Sequence, residues 1–165
     1  MSETTPLIVV YTGLIISMPV IPLLSNQHEH LMEEFFLAED ILVICERAQS
    51  FPDGVFAAHQ ELHQQFPQDG KRRYFGLSWP DQNGKITYKA AVESLGTEEI
   101  DHSETFTIKS GLFITKIIKD FRSDVSQIES CFQLLLKQPN IDPNGYCLEM
   151  YINENDVLCM VPIIK

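Results

Sequence analysis

The strongest chemical signal in the sequence is the pair Glu149 and Tyr151, set two residues apart in the strand-like run Tyr146–Ile152 (YCLEMYI). Strand side chains alternate between faces, so Cys147, Glu149 and Tyr151 share one side and Leu148, Met150 and Ile152 the other. The apolar set suits a side packed by helices, which points Glu149 into a cleft with Tyr151 beside it. A carboxylate held among aromatic rings attracts a delocalised cation by charge and by contact with the ring faces. Removing it from water raises its pKa unless a donor is near, and a glutamate beside a phenol is also the minimum for proton transfer. The run Arg73–Trp79 (RYFGLSW) is the counterpart. There Phe75 and Leu77 fit the helix-packed side, while Tyr74, Gly76 and Ser78 face the cleft, with Gly76 leaving room for a ligand. Trp79 ends that run before Pro80, and Tyr88 lies on its hairpin partner. Both are candidate aromatic walls.

Other chemistries find less support. His59 and His63 stand four apart in a helical stretch, but Gln60 occupies the place of the glutamate in a zinc-protease motif and no third ligand is evident. They read as a solvated helix face, and His28 and His30, flanking Glu29, are no stronger as ligands. Neither a glycine-rich phosphate loop nor a Gly-x-Ser-x-Gly elbow occurs. Cys45, Cys131, Cys147 and Cys159 are widely spaced, form no Cys-x-x-Cys and sit in apolar runs. Reduced, buried thiols are expected, as in a cytoplasmic protein. No metal and no cofactor are expected.

The elements that must carry these residues can be read along the chain. Its 165 residues are 44 % hydrophobic and 21 % charged, which suits a globular fold. Asp40–Arg47 reads as a strand, Ser50–Gly54 (SFPDG) as a break, and Val55–Phe66 as a helix with Val55, Ala58, Leu62 and Phe66 inward. Arg73–Trp79 and Lys85–Glu93 form a hairpin about the Asn83-Gly84 turn. The order repeats. Glu104–Phe121 holds a strand with Gly111 as a bulge or kink. Ser123 caps a helix running to about Lys137, and Tyr146–Ile152 and Val157–Ile164 form a second hairpin. Pro67 and Pro139 stop the two helices, Tyr74 and Tyr146 open the next strands, and both pairs are 72 apart. Two β-α-β-β units, about 39–95 and 103–165, predict an α+β domain: one curved antiparallel sheet, two helices on one face and a ligand cleft on the other.

The formal net charge is −11, from 12 basic and 23 acidic residues. Such a surface repels phosphate backbones, which argues against direct nucleic-acid binding and favours cationic ligands or basic partners. The charge is uneven: residues 1–70 hold one basic and ten acidic residues, and residues 71–165 hold eleven and thirteen. Residues 1–38 form a separate apolar extension. Its stretch Pro6–Leu24 is of membrane-spanning length, but Pro19, Pro22 and Gly13 interrupt it and no Lys or Arg precedes Arg47. Its β-branched residues read better as a buried strand or packed arm, with a homodimer contact as one use. His28–Leu37 (HEHLMEEFFL) reads as a short amphipathic helix, with Leu31, Met32, Phe35 and Phe36 on one side. A soluble, cytoplasmic protein is expected.

The segments SFPDGVFAAHQELH, RRYFGLSWPDQNGKITYKAAVE, IKSGLFITKIIKDF and FQLLLKQPNIDPNGYCLEMYINENDVLCMVPI resemble the GyrI-like small-molecule-binding domain. This is the effector-binding domain of bacterial AraC- and MerR-type transcription activators. The resemblance covers roughly residues 40–165, and its most specific part is the Glu149-Met150-Tyr151 hairpin ending in Val161-Pro162-Ile163. It implies a binding module for small lipophilic or cationic organic molecules, in a stand-alone form without a DNA-binding domain, with a regulator as a conceivable partner. It implies that Glu149 faces an aromatic pocket, and it adds Phe113, after Gly111, as a pocket aromatic. Two other activities follow from the wider superfamily: hydrolysis of strained cyclopropane compounds by Glu149 and Tyr151, and protein binding of the gyrase-inhibitor kind. The first leaves open whether the chain is an enzyme. The second is weakened because nearly half of the acidic excess, five of the eleven net charges, lies outside the resembling region.

Overall fold

A computed structural model describes residues 31–66, 68–96 and 104–165. Its strands are β1 (Glu33–Leu37), β2 (Ile41–Arg47), β3 (Tyr74–Pro80), β4 (Ile86–Glu93), β5 (Glu104–Ile108), β6 (Gly111–Ile118), β7 (Cys147–Tyr151) and β8 (Val157–Pro162). Its α-helices are α1 (Val55–Gln65) and α2 (Ser126–Leu135). All eight strands join one antiparallel sheet in the order β1-β6-β8-β7-β3-β4-β2-β5. The expected α+β architecture is therefore present, with α1 against β4 and β2 and α2 against β8 and β6.

The two halves meet at β3 and β7, and each half borrows its outer strand from the other. β1 runs directly into β2 in sequence, yet it pairs with β6; β5 runs directly into β6, yet it pairs with β2. Two expectations are corrected by this exchange. Residues 33–37 form an edge strand, not the end of an amphipathic helix; residues 1–30, including the start of that stretch and the apolar run, lie outside the described residues. Phe35 and Leu37 turn to the core while Phe36 is exposed, the two-residue period of a strand. The backbone ladder on β6 decides this, and side-chain spacing in so short a run could not. Likewise Glu104–Phe121 is not one strand with a kink. It breaks at Lys109–Ser110, where Asp40 accepts from the Ser110 N–H at 2.8 Å, and Gly111 takes φ 146°. That backbone is one a side chain rarely tolerates.

Smaller differences concern turns. Gly84 alone takes positive φ in the β3–β4 hairpin, and Asp81 Oδ1 accepts from the Asn83 and Lys85 N–H groups. Ser123 does not cap α2: its hydroxyl donates back to the Asp120 carbonyl, and Asp124 receives the Ser126 N–H and hydroxyl instead.

Both faces of the sheet are buried. The helix-free face carries Leu37, Ile41, Val43, Cys45, Phe75, Leu77, Ala91, Ile108, Phe113, Leu148 and Met160 in one cluster. Every strand contributes and no helix does, so the sheet curls on itself to close this core. The helix face carries two clusters. One groups Ala58 and Leu62 of α1 with Ile44, Tyr74, Ala90 and Val92, and the other groups Cys131, Phe132 and Leu135 of α2 with Ile118, Val157, Cys159 and Val161. The expected assignment of faces is thus inverted. Phe75, Leu77 and Leu148 look into the curled core, and Glu149, Tyr151, Tyr74 and Gly76 look toward the helices. The alternation is as expected, but with both faces buried an apolar set does not say which one the helices cover.

Candidate functional site

Glu149 is buried at the middle of the sheet, with 7 % of its surface exposed. It stands directly across β3–β7 from Gly76, and this pairing explains the glycine. A Cβ at residue 76 would lie 2.2 Å from Tyr88 Oη and 2.6 Å from Glu149 Oε2, so even alanine would displace both groups. The space beside Gly76 holds the carboxylate and a phenol.

Two phenols hold the carboxylate. Tyr151 donates to Glu149 Oε2 at 2.5 Å and Tyr88 donates to the same oxygen at 3.0 Å. Tyr88 comes from β4, brought alongside by its pairing with β3. α1 closes the arrangement: His59 Nε2 lies 2.8 Å from Tyr88 Oη and 3.5 Å from Tyr151 Oη, its ring edge-on to both. From the loop before α1, Phe51 stacks on Tyr88 at 5.9 Å.

The electrostatics follow from burial. Desolvation pushes the Glu149 carboxyl above its ordinary range, and the two phenol hydrogen bonds oppose that only in part. Desolvation, aided by the nearby carboxylate, drives both Tyr88 and Tyr151 well above the usual phenol value, which keeps them as O–H donors. Desolvation, followed by repulsion from His63, lowers His59 to about 4, so its imidazole is neutral near pH 7. No ion pair reaches Glu149 among the described residues. What results is an acidic group surrounded by neutral aromatic rings.

Five of the expected residues therefore lie on one side of the sheet: Glu149, Tyr151, Tyr88, Gly76 and Tyr74. Tyr74 sits at the edge of the group, donating to the Phe66 carbonyl at 2.7 Å with its ring against His63. Trp79 and Phe113 do not join them. Trp79 lies on the other face, stacked on Phe106 with the Lys89 ammonium over its ring, and Phe113 is sealed in the curled core. His59 is the residue the sequence reading misplaced. It belongs to the buried side of α1 and not to a solvated helix face, as its spacing from Val55, Ala58 and Leu62 allowed. Phe51 had no signal, since it lies in a loop. Among the described residues no group of three or more metal-ligating side chains converges, and no helix is long and apolar enough to cross a membrane.

No family model matches the chain, and no curated protein matches it at a significant level. Solved structures do. The structure of SAV2435 bound to tetraphenylphosphonium shares the fold at TM-score 0.60 and 13 % identity, covering 82 % of this chain and 94 % of that one. A hydrolase from Listeria innocua aligns at TM-score 0.50 and 11 % identity, over 82 % and 93 %. EcmrR, in its complex with DNA, aligns at TM-score 0.51 and 15 % identity over 82 % of this chain but 57 % of its own. These likenesses show a shared fold: the curled antiparallel sheet with two helices is the architecture of SAV2435 and of the matching part of EcmrR.

Proposed function

We propose that the protein is a small-molecule-binding domain of the effector-binding type, and that its ligands are flat or bulky lipophilic organic cations. The observation that carries this reading is Glu149: a buried carboxylate whose hydrogen-bond partners among the described residues are phenols, ringed by Tyr88, Tyr151, His59 and Phe51. A cation placed there replaces lost hydration of the carboxylate by direct charge contact and ring faces, while its apolar body displaces little bound water. Since Glu149 is 7 % exposed, ligand reaches it when α1 and the Ser50–Gly54 segment move off the sheet. Tetraphenylphosphonium, bound by SAV2435, is the natural probe. Tyr74 borders the same side, while Trp79 and Phe113 lie on the opposite face of the sheet. A regulator or a second copy as partner, and a cytoplasmic location, belong to the same reading.

Calorimetric titration with tetraphenylphosphonium tests it. Binding should be measurable in the wild type and weaken at least about 30-fold in Glu149→Gln, since losing a buried charge partner costs about 2 kcal/mol or more. Equal affinity in the two proteins would remove Glu149 from the site. Absence of binding by the wild type, with turnover of cyclopropane compounds that is lost in Glu149→Gln, would favour a hydrolase. The raised carboxyl pKa and the hydrogen-bonded path from Glu149 through Tyr88 to neutral His59 would then serve proton transfer.

A further inference from the structure

A cavity of about 120 Å³ opens where the chain leaving β2 passes the β3–β4 hairpin, and its wall includes Arg47, Gln49, Ser50, Asp81, Lys85 and Thr87. The backbone fixes its two sides. The Ala48 N–H donates to the Tyr88 carbonyl at 3.0 Å, which holds the end of β2 against β4. The Asp81 N–H donates to the Lys85 carbonyl at 2.7 Å, which closes the hairpin and sets Lys85 immediately before β4. All six of these side chains are polar, so the cavity suits a polar occupant that can satisfy them.

The charges in this wall are unevenly matched. Arg47 is the one basic residue among residues 1–70, against ten acidic ones. Yet among the described residues no ion pair reaches Arg47 or Lys85. Arg47 Nη2 makes one long hydrogen bond, to Thr87 Oγ1 at 3.4 Å. Asp81, the acidic residue of the wall, is engaged by its own turn: Oδ1 accepts from the Asn83 and Lys85 N–H groups at 2.8 and 2.9 Å. Two positive charges thus face one negative charge. The Gln49 and Ser50 N–H groups add to the excess of donors, since neither has an acceptor among the described residues. A guanidinium, an ammonium and two unpaired amides around a small cavity are the donor set of an anion site. A planar carboxylate uses only part of such a set, whereas a tetrahedral oxoanion presents an oxygen to each donor.

We propose that this cavity binds a small oxoanion of phosphate size. Arg47 and Lys85 supply the charge, and the Gln49 and Ser50 N–H groups supply further hydrogen bonds. The anion takes the place of water and ties the end of β2 to the start of β4. The site does not rest on the cation-binding reading: none of its residues surrounds Glu149, so a failure to bind tetraphenylphosphonium leaves it standing.

The test titrates the full chain with inorganic phosphate at constant ionic strength, with chloride as the control anion, and follows the backbone amides by proton–nitrogen NMR. Expected is saturable binding with shifts concentrated at Gln49, Ser50, Lys85 and Thr87. Arg47→Gln and Lys85→Gln should each weaken binding at least about tenfold, since each removes a charged hydrogen-bond donor. Lys71→Gln, at an exposed lysine that pairs with Asp69, should leave it unchanged. Glycerol phosphate separates the sources: tighter binding than inorganic phosphate marks an organic phosphomonoester as the ligand, and equal or weaker binding marks the free anion. An unsaturated response matched by chloride, shifts spread over Lys71, Lys109 and Lys119, or unchanged affinity in both cavity variants would overturn the proposal. The wild-type shift map decides by itself, so a variant that folds poorly leaves the test intact.

Discussion

At Glu149 and His59 the protein holds two ionisable groups against their preferences, in opposite directions. Glu149 has its folded pKa raised by desolvation. Its contribution to stability is fully present below the unfolded value near 4.5 and is lost as pH rises through the folded value. His59 has its pKa lowered to about 4, also by desolvation. Here stability is lost as pH falls from about 6.5 toward 4, since the unfolded chain takes up the proton more readily. Two expectations follow for thermal unfolding followed across pH. Glu149→Gln should be more stable than the wild type at pH 7–8 by about 1–2 kcal/mol, because a buried, unpaired charge is gone. His59→Gln should flatten the loss between pH 6.5 and 4. Affinity for tetraphenylphosphonium should rise with pH as Glu149 ionises, and a flat profile would contradict a role for its carboxylate. Gly76 is the third residue of this scale. Gly76→Ala forces apart Tyr88 Oη and Glu149 Oε2 and should destabilise by about 1–3 kcal/mol, the usual range for overpacking. It should also abolish cation binding. An alanine variant with wild-type melting and affinity would show that the space beside residue 76 is free.

Of the two α-helices, α1 buries the fewer apolar side chains. Its buried residues are Ala58 and Leu62, its N-terminus has no side-chain cap, and Phe56 is exposed. α2 buries Cys131, Phe132 and Leu135. The helix above Glu149 thus has two buried apolar side chains where α2 has three. The edge strand β1 plays the opposite part. Phe35 and Leu37 fill the curled core, and Glu33–Leu37 occupy the open edge of β6. Placing a charge there with Phe35→Asp should lower the melting temperature by several degrees and promote association through the freed β6 edge, seen by size-exclusion chromatography. A monomer of unchanged stability would show that β1 is dispensable.

For the whole molecule, the exchange of outer strands ties the two β-α-β-β halves together. Neither half completes its own sheet: β1 is needed by the second half and β5 by the first. The central β3–β7 pair then sets Gly76 against Glu149, so the charge sits where the halves join and both contribute to its surroundings. Tyr88 and His59 come from the first half and Glu149 and Tyr151 from the second.

The sequence by itself determined the repeated order of elements, because helix periodicity, the breaks near Gly54 and Gly145 and the strand-type runs are local signals. It also determined which residues of one strand share a face, because alternation along a strand is local: Glu149 with Tyr151 in β7, and Tyr74 with Gly76 in β3. Tertiary structure alone decided the rest. Which face the helices cover depends on the curl of the sheet, and with both faces buried the polarity pattern is silent about it. Trp79, expected as a wall at the end of its strand, and Phe113, implied by the resemblance, lie on the far side. The strand nature of residues 33–37 depends on a ladder with β6 some eighty residues away, and five residues carry too little period to announce it. His59 depends on α1 lying across β4, so that a helix side read as solvated meets two phenols.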